Sequence, residues 1–133
     1  MNPAASTTRT YHVWFSTKGR KPVLVEEIRG CALRSFGQVA EREGVSIRAL
    51  EAVEDHVHLL LDLQGNQSLS VVMHDLKGAS AREVLRLFPD LRIDLAASSL
   101  WQKGYGWRLV PEGQTEAVRR YIETQETRPL RHE

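Results

Sequence analysis

The chain has 133 residues, of which 41% are hydrophobic and 26% are charged, and its formal net charge is +1. This balance is typical of a globular domain that buries a sizeable core. The sequence has no low-complexity segment and no polybasic tail, and no apolar run approaches the roughly 20 residues of a membrane span. The single Cys31 leaves no intramolecular disulfide, and the N-terminus lacks the charged-then-apolar pattern of a signal peptide. We therefore expect one intracellular domain over residues 1–133, with its core over about residues 9–127.

The first 25 residues form a local basic edge. They contain Arg9, Lys18, Arg20 and Lys21 and no acidic residue. Such a cluster attracts phosphate groups, although a net charge of +1 argues neither for nor against a nucleic-acid partner. A solvated end of the chain explains the same residues equally well.

The first half of the chain predicts three strands and one long helix. Residues 10–18 (TYHVWFSTK) alternate apolar and polar side chains with the period of a strand. Residues 25–43 place their apolar side chains on one helical face, and Gly44 stands where a helix ends. Residues 45–53 and 56–64 are strand-like runs joined by the dipeptide ED, which indicates a hairpin.

The second half predicts two helices and one strand. Ser68 can cap a helix that extends to Pro89, because the apolar residues between them recur on one face. Residues 90–104 are expected to be mostly loop, and residues 105–110 (YGWRLV) to form a short strand. A last helix is expected from Thr115 to about Glu126.

The order of these elements predicts an α+β fold of the ferredoxin-like (βαββαβ) type. In this fold a four-stranded antiparallel sheet carries two helices on one face, and here a further C-terminal helix carries Tyr121. Right-handed crossover connections place the first and third strands in the middle of the sheet.

Two histidines open the third predicted strand. His56 and His58 stand at positions i and i+2, so they share one face of the strand and lie about 6–7 Å apart. Val57, Leu59 and Leu61 fall on the opposite face, where the helices would cover them. Two imidazoles on the open face can converge on one metal ion, but two solvent-facing polar residues would give the same pattern.

The last predicted helix carries a second group of candidate residues. Tyr121 and Gln125 lie one turn apart on the helical face that also holds Val118 and Ile122. A helix laid across the open side of the sheet would bring the phenol and the amide beside the histidines. A half-buried packing tyrosine and a surface glutamine are the alternative interpretation.

Five segments, in this order, resemble the single-tyrosine, His-hydrophobe-His (HUH) transposases of small insertion sequences, including the relatives associated with repetitive extragenic palindromes (REP). The match covers nearly the whole chain, and the order of the segments makes it specific where any single segment would be weak. The segments are YHVWFSTKGRKPVL (11–24), DHVHLLL (55–61), SLSVVMHDLKGASAREV (68–84), LWQKGY (100–105) and YIETQ (121–125).

The resemblance implies a role for each candidate residue. His56, His58 and Gln125 would be the ligands of a divalent metal ion, Mg²⁺ or Mn²⁺, and Tyr121 would be the nucleophile. Imidazole ligands suit Mn²⁺ better than Mg²⁺, and zinc stays open. The implied activity is cleavage and rejoining of single-stranded DNA through a 5′-phosphotyrosine intermediate.

The resemblance also implies partners and a location. The family recognises hairpin DNA and works as a homodimer, in which the tyrosine helix of one subunit can serve the metal site of the other. The expected location is the prokaryotic cytoplasm, in association with the nucleoid. Candidate contacts to the DNA backbone are Lys18, Arg20, Lys21, Lys77, Arg82, Arg119 and Arg120.

The remaining aromatic and histidine residues are assigned less specific roles. Trp14, Trp101 and Trp107 can stack on unpaired bases, with packing as the default interpretation. His12 and His74 are expected to be structural or exposed rather than metal ligands.

Two other functions remain open at the level of sequence. One is a non-catalytic protein that binds hairpin DNA or RNA, and the other is a metal-dependent phosphoesterase that uses water. Tyr105 is the rival nucleophile, although it begins a strand and has no glutamine one turn away.

Overall fold

The structure is a computed structural model, and it describes residues 8–124. Four strands and four α-helices follow one another along this range, with a 3₁₀ turn at Lys18–Arg20. They are β1 (Arg9–Ser16), α1 (Glu26–Glu43), β2 (Ser46–Val53), β3 (His56–Leu63), α2 (Leu69–Leu87), α3 (Leu91–Leu95), β4 (Gly106–Leu109) and α4 (Thr115–Glu123). Within this range no helix combines the length and the apolar character that a membrane span requires.

The strands form one antiparallel sheet in the order β2-β3-β1-β4. The predicted ferredoxin-like fold, with the first and third strands at the centre, is therefore confirmed. The predicted hairpin is confirmed too, because only Glu54 and Asp55 separate β2 from β3.

One face of the sheet builds the main core with α1 and α2. Phe15, Phe36 and Trp101 meet at its centre, with ring centroids 4.8–6.1 Å apart. The Trp101 indole N–H donates to the Ser80 hydroxyl at 2.9 Å, so this tryptophan is a packing residue whose polar atom is satisfied. Alternate residues of β3, such as Leu59, belong to the same core, as the sequence predicted.

The predicted helix boundaries have local causes. Gly44 adopts a left-handed conformation (φ 70°) at the end of α1, which glycine tolerates better than other residues. The Ser68 hydroxyl accepts a hydrogen bond from the Val71 N–H at 3.4 Å and caps α2.

One segment departs from the sequence prediction. Residues 90–104 were expected to be mostly loop, but Leu91–Leu95 form the short helix α3. Leu91 and Leu95 are buried in the main core, whereas Ile93 is 78% exposed. Tertiary packing of these two leucines therefore stabilises a helical turn that is too short for a periodic signal in the sequence.

The last helix, α4, packs on the opposite face of the sheet. A second, smaller apolar cluster joins Val118 and Ile122 of α4 to Ala49, Leu60 and Val110. The structure describes α4 to Glu123, so its predicted end near Glu126 and the residue Gln125 lie outside the described residues.

The docking of α4 can be tested at Ile122, which is fully buried between the helix and the sheet. Replacing Ile122 with Ala should lower the free energy of unfolding by about 2–5 kcal/mol, because the cavity is lined by the few residues that hold α4. Ile93→Ala is the matched control and should change it by no more than about 0.5 kcal/mol. Urea unfolding, together with hydrogen exchange of the α4 amides, measures both effects. Equal effects of the two substitutions would show that α4 does not dock on the sheet.

Candidate functional site

Three histidines lie together on the face of the sheet that α4 covers. His56 and His58 come from β3, and His12 comes from β1. His12 Nε2 and His58 Nδ1 are 3.0 Å apart, and the ring centroids of His56 and His58 are 5.1 Å apart. His12, which was expected to be structural or exposed, is buried (5% exposed) against His58, as a structural residue would be. The sequence did not indicate that His12 lies beside His58, because this depends on the register of β1 on β3, which pairs Trp14 with His58 and His12 with Leu60.

His56 has the arrangement of a histidine prepared to bind a cation. Its Nδ1–H donates to the Asp55 carboxylate at 2.8 Å, so the lone pair of the ring lies on Nε2. Within residues 8–124, this Nε2 is buried and has no hydrogen-bond partner. Burial raises the pKa of Asp55, but the hydrogen bond from His56 and the charge of Arg20 outweigh it, so that the pKa is lowered and the carboxylate stays ionised.

Arg108 sets the direction of a hydrogen-bond chain into the cluster. Its Nε–H donates to His12 Nδ1 at 3.3 Å, which places the proton of a neutral His12 ring on Nε2. His12 Nε2 then donates to His58 Nδ1, and the proton of His58 lies on its own Nε2. If His58 binds a cation through Nε2, its own proton has to lie on Nδ1. His58 Nδ1–H then donates to His12 Nε2, so the proton of His12 lies on Nδ1 and Arg108 loses its acceptor.

The burial of the cluster keeps two of its imidazoles neutral. Desolvation and the nearby Arg108 charge lower the pKa of His12 from 6.5 to about 4. Desolvation, followed by His12 and His56, lowers the pKa of His58 from 6.5 to about 3. Neutral imidazoles are the forms that bind metal ions.

Tyr121 lies across from these imidazoles in the same chain. The centroid of its ring is 6.3 Å from the ring centroids of both His12 and His58, in edge-on orientations of 73° and 88°. Val118 and Ile122 on the same helix fix this position, because they bury the face of α4 from which Tyr121 projects. The rival Tyr105 packs against the main core on the other side of the sheet.

The donors described in the structure do not complete a metal site. Over residues 8–124, no group of three or more His, Cys, Asp or Glu side chains could hold a metal ion. A metal ion at these histidines would therefore need a third donor of another type or from outside this range. The expected third ligand, Gln125, lies outside the described residues.

Several of the basic residues expected to contact DNA have intramolecular partners. Lys77 donates to the carbonyl oxygens of Gln102 (2.9 Å) and Gly104 (2.6 Å), and burial lowers its pKa. Arg20 pairs with Asp55 at 3.4 Å, and Arg119 pairs with Glu116 and Glu123. Contact with DNA stays a prediction for all of the basic residues named for it in the sequence. They are Lys18, Arg20, Lys21, Lys77, Arg82, Arg119 and Arg120.

Comparisons with known proteins identify relatives of this chain. A family model described as "Transposase IS200 like" matches residues 5–125. The ISDra2 transposase TnpA of Deinococcus radiodurans is 33% identical over 115 residues, which are 86% of this chain and 82% of that protein. The transposase for insertion sequence element IS200 of Salmonella typhimurium is 30% identical over 95 residues, which are 71% of this chain but only 62% of that protein's length.

Two solved structures share the fold. A crystal structure of a candidate transposase from Deinococcus radiodurans R1 superposes with a TM-score of 0.73 at 33% identity, covering 89% of this chain and 91% of that one. The REP-associated tyrosine transposase bound to a REP hairpin superposes with a TM-score of 0.71, covering 91% of this chain and 68% of that one. Its 13% identity shows likeness of fold alone.

The histidine cluster should make the metal-free protein sensitive to acid. His12 and His58 have pKa values lowered from 6.5 to about 4 and about 3, so they bind protons more readily in the unfolded chain. Their contribution to stability is complete above about pH 6.5 and decreases as the pH falls through this window. We expect the urea midpoint, measured in EDTA, to fall with pH, and His12→Gln to weaken that dependence. His74→Gln is the control, because the side chain of His74 is 87% exposed. A pH dependence that His12→Gln leaves unchanged would contradict the assignment.

Proposed function

This chain belongs to the IS200-like transposase family, and we propose that it cleaves and rejoins single-stranded DNA through a covalent bond to Tyr121. The observation that supports this proposal is the position of Tyr121, whose ring lies 6.3 Å from those of His12 and His58 on one face of the sheet. The buried Nε2 of His56, which no group among residues 8–124 hydrogen-bonds, lies on the same face and offers a lone pair.

The chemistry of a phenol suits strand transfer. The Tyr121 oxygen attacks the phosphorus and loses its proton, and the 3′ oxygen of the DNA leaves and takes up a proton. The products are a 5′-phosphotyrosine and a free 3′-hydroxyl. Because one phosphodiester replaces another of similar energy, a 3′-hydroxyl can attack the phosphotyrosine and rejoin the strand without ATP.

Two imidazoles on this face can donate to a divalent metal ion, and a third donor has to come from elsewhere. We propose that His56, His58 and Gln125 hold Mg²⁺ or Mn²⁺, with His56 bound through Nε2. When bound, the ion would neutralise the charge of the phosphodiester and stabilise the leaving oxygen. Asp55 orients the His56 ring through Nδ1, which leaves Nε2 as the donor atom.

The partner proposed for this chain is hairpin DNA with unpaired flanks. This proposal is supported by the fold shared with the REP-associated tyrosine transposase, which is bound to a REP hairpin.

We also propose a homodimer. Tyr121 already lies beside histidines of its own chain, so an exchange of α4 between subunits is not needed to bring the phenol to the cluster.

Substitution of the two tyrosines tests the nucleophile. Tyr121→Phe should abolish the covalent adduct between the protein and labelled single-stranded DNA from the flanks of its own gene, assayed with Mn²⁺ on a denaturing gel. Tyr105→Phe is the matched control and should retain the adduct, because Tyr105 packs against the main core. DNA hydrolysis that survives Tyr121→Phe would favour a water-using phosphoesterase. Binding without any adduct by the unmodified protein would favour a non-catalytic hairpin-binding protein.

The orienting role of Asp55 gives a test of the metal proposal that does not depend on activity. Asp55→Asn should weaken Mn²⁺ binding by about 10- to 100-fold, because the His56 ring loses the carboxylate that fixes its tautomer. Asp75→Asn is the matched control, since Asp75 forms a similar pair, at 3.3 Å, with the exposed His74. Titration calorimetry or the electron paramagnetic resonance signal of free Mn²⁺ measures both affinities. Unchanged Mn²⁺ affinity in Asp55→Asn would contradict a metal site at His56.

A further inference from the structure

Trp14 lies in the same cross-strand row as His58. The register of the sheet pairs Trp14 with His58 on one side and with Gly106 on the other. Directly paired residues of antiparallel strands have Cα atoms about 4.5–5.5 Å apart and project from the same face. Trp14 is therefore the immediate lateral neighbour of a proposed metal ligand, on the side of the sheet toward β4.

Gly106 provides the space that the indole of Trp14 occupies. A Cβ atom on Gly106 would lie 2.1 Å from Nε1 and 2.2 Å from Cε2 of Trp14, so no other residue fits there without moving the ring. On its other side, the Trp14 ring contacts His12, with 5.0 Å between the ring centroids. The indole is thus held between the backbone of β4 and the histidine cluster.

The rest of the Trp14 ring faces solvent. Trp14 is 37% exposed, whereas His12, which its ring contacts, is buried. The main core does not use this side chain, because Trp101 fills the core on the opposite face. A fixed, half-exposed indole therefore lies beside the residues proposed to cleave DNA.

We propose that Trp14 is a stacking platform for an unpaired base of the DNA strand that enters the site, and that Gly106, which has no side chain, leaves the space that this platform occupies. The proposal rests on the proposed function and adds a base-binding subsite to it. Aromatic rings stack on any base that has a free face, so the subsite selects unpaired bases over paired ones rather than one base over another. Its place beside His58 puts the stacked base next to the phosphodiester that is cleaved.

The test uses DNA binding without cleavage. In a Tyr121→Phe background, fluorescence anisotropy of fluorescein-labelled oligothymidylate measures the affinity for an unpaired strand. Trp14→Leu should weaken binding by about 5- to 150-fold, which corresponds to the loss of one base–aromatic stack. Trp107→Leu is the matched control, because Trp107 is also exposed (52%) but projects from the opposite face against Tyr11. Its affinity should be that of the parent protein.

Two further variants separate stacking from loss of structure. Trp14→Phe keeps a smaller aromatic ring and should recover part of the affinity that Trp14→Leu loses. Gly106→Ala leaves Trp14 in the chain but displaces its ring, so it should weaken binding and shift the tryptophan emission. Circular dichroism checks that each variant keeps the fold.

The outcomes distinguish this proposal from the one on which it rests. Equal binding by Trp14→Leu and its parent, equal losses in Trp14→Leu and Trp107→Leu, or no binding of oligothymidylate by the parent would each overturn the platform. The proposed function is judged separately, by the adduct that the chain with Tyr121 intact forms on flanking DNA. If that adduct forms while Trp14→Leu binds DNA normally, the platform fails and the cleavage mechanism stands.

Discussion

The antiparallel pairing of β1 with β3 is the constraint on which the histidine face depends. This register sets His12 opposite Leu60 and Trp14 opposite His58, so that residues of two strands meet at one cluster. A slip by one residue would turn His12 and Trp14 toward the helices and expose Phe15 on the other side. Because Phe15 and its neighbours are buried under α1 and α2, the main core fixes the register. The polar face is therefore positioned by the apolar packing behind it.

The helix α4 completes the site with little packing of its own. Its apolar cluster with the sheet is much smaller than the main core, and Tyr121 belongs to the edge of that cluster. Neutral imidazoles lie under the helix, where burial disfavours their charged forms. The helix thus creates the environment in which the histidines present lone pairs, and it supplies the phenol at the same time. A segment held by few contacts is also the part of a fold that opens most readily, as entry of a DNA strand would require.

Much of this architecture could be predicted from the chain because its signals are local. Strand alternation placed His56 and His58 opposite the alternate leucines of β3. The position of α4 over the histidines was one of two interpretations of its apolar face, and the second apolar cluster supports it. The contact of His12 with the other two histidines could not be predicted in the same way, since it depends on how β1 pairs with β3. The helix α3 was missed because only tertiary contacts stabilise so short a segment. The partners of Lys77 were missed because they are backbone carbonyls of a loop with no periodic pattern.

The edge strand β4 explains how one short element influences both the charge and the shape of the site. Its residues alternate, so Gly106 and Arg108 face the histidine cluster while Trp107 faces the opposite side. Arg108 directs the hydrogen-bond chain through His12 to His58, and Gly106 leaves room for the ring of Trp14. Reversal of that chain would release Arg108 from His12 at the moment when a cation occupies His58. A guanidinium freed at this edge would lie beside the platform proposed for the base, where the phosphate backbone of an entering strand needs a counter-charge. If the proposed metal ion binds His58, Arg108 would therefore link its binding to that of the DNA strand, from a strand of only four residues.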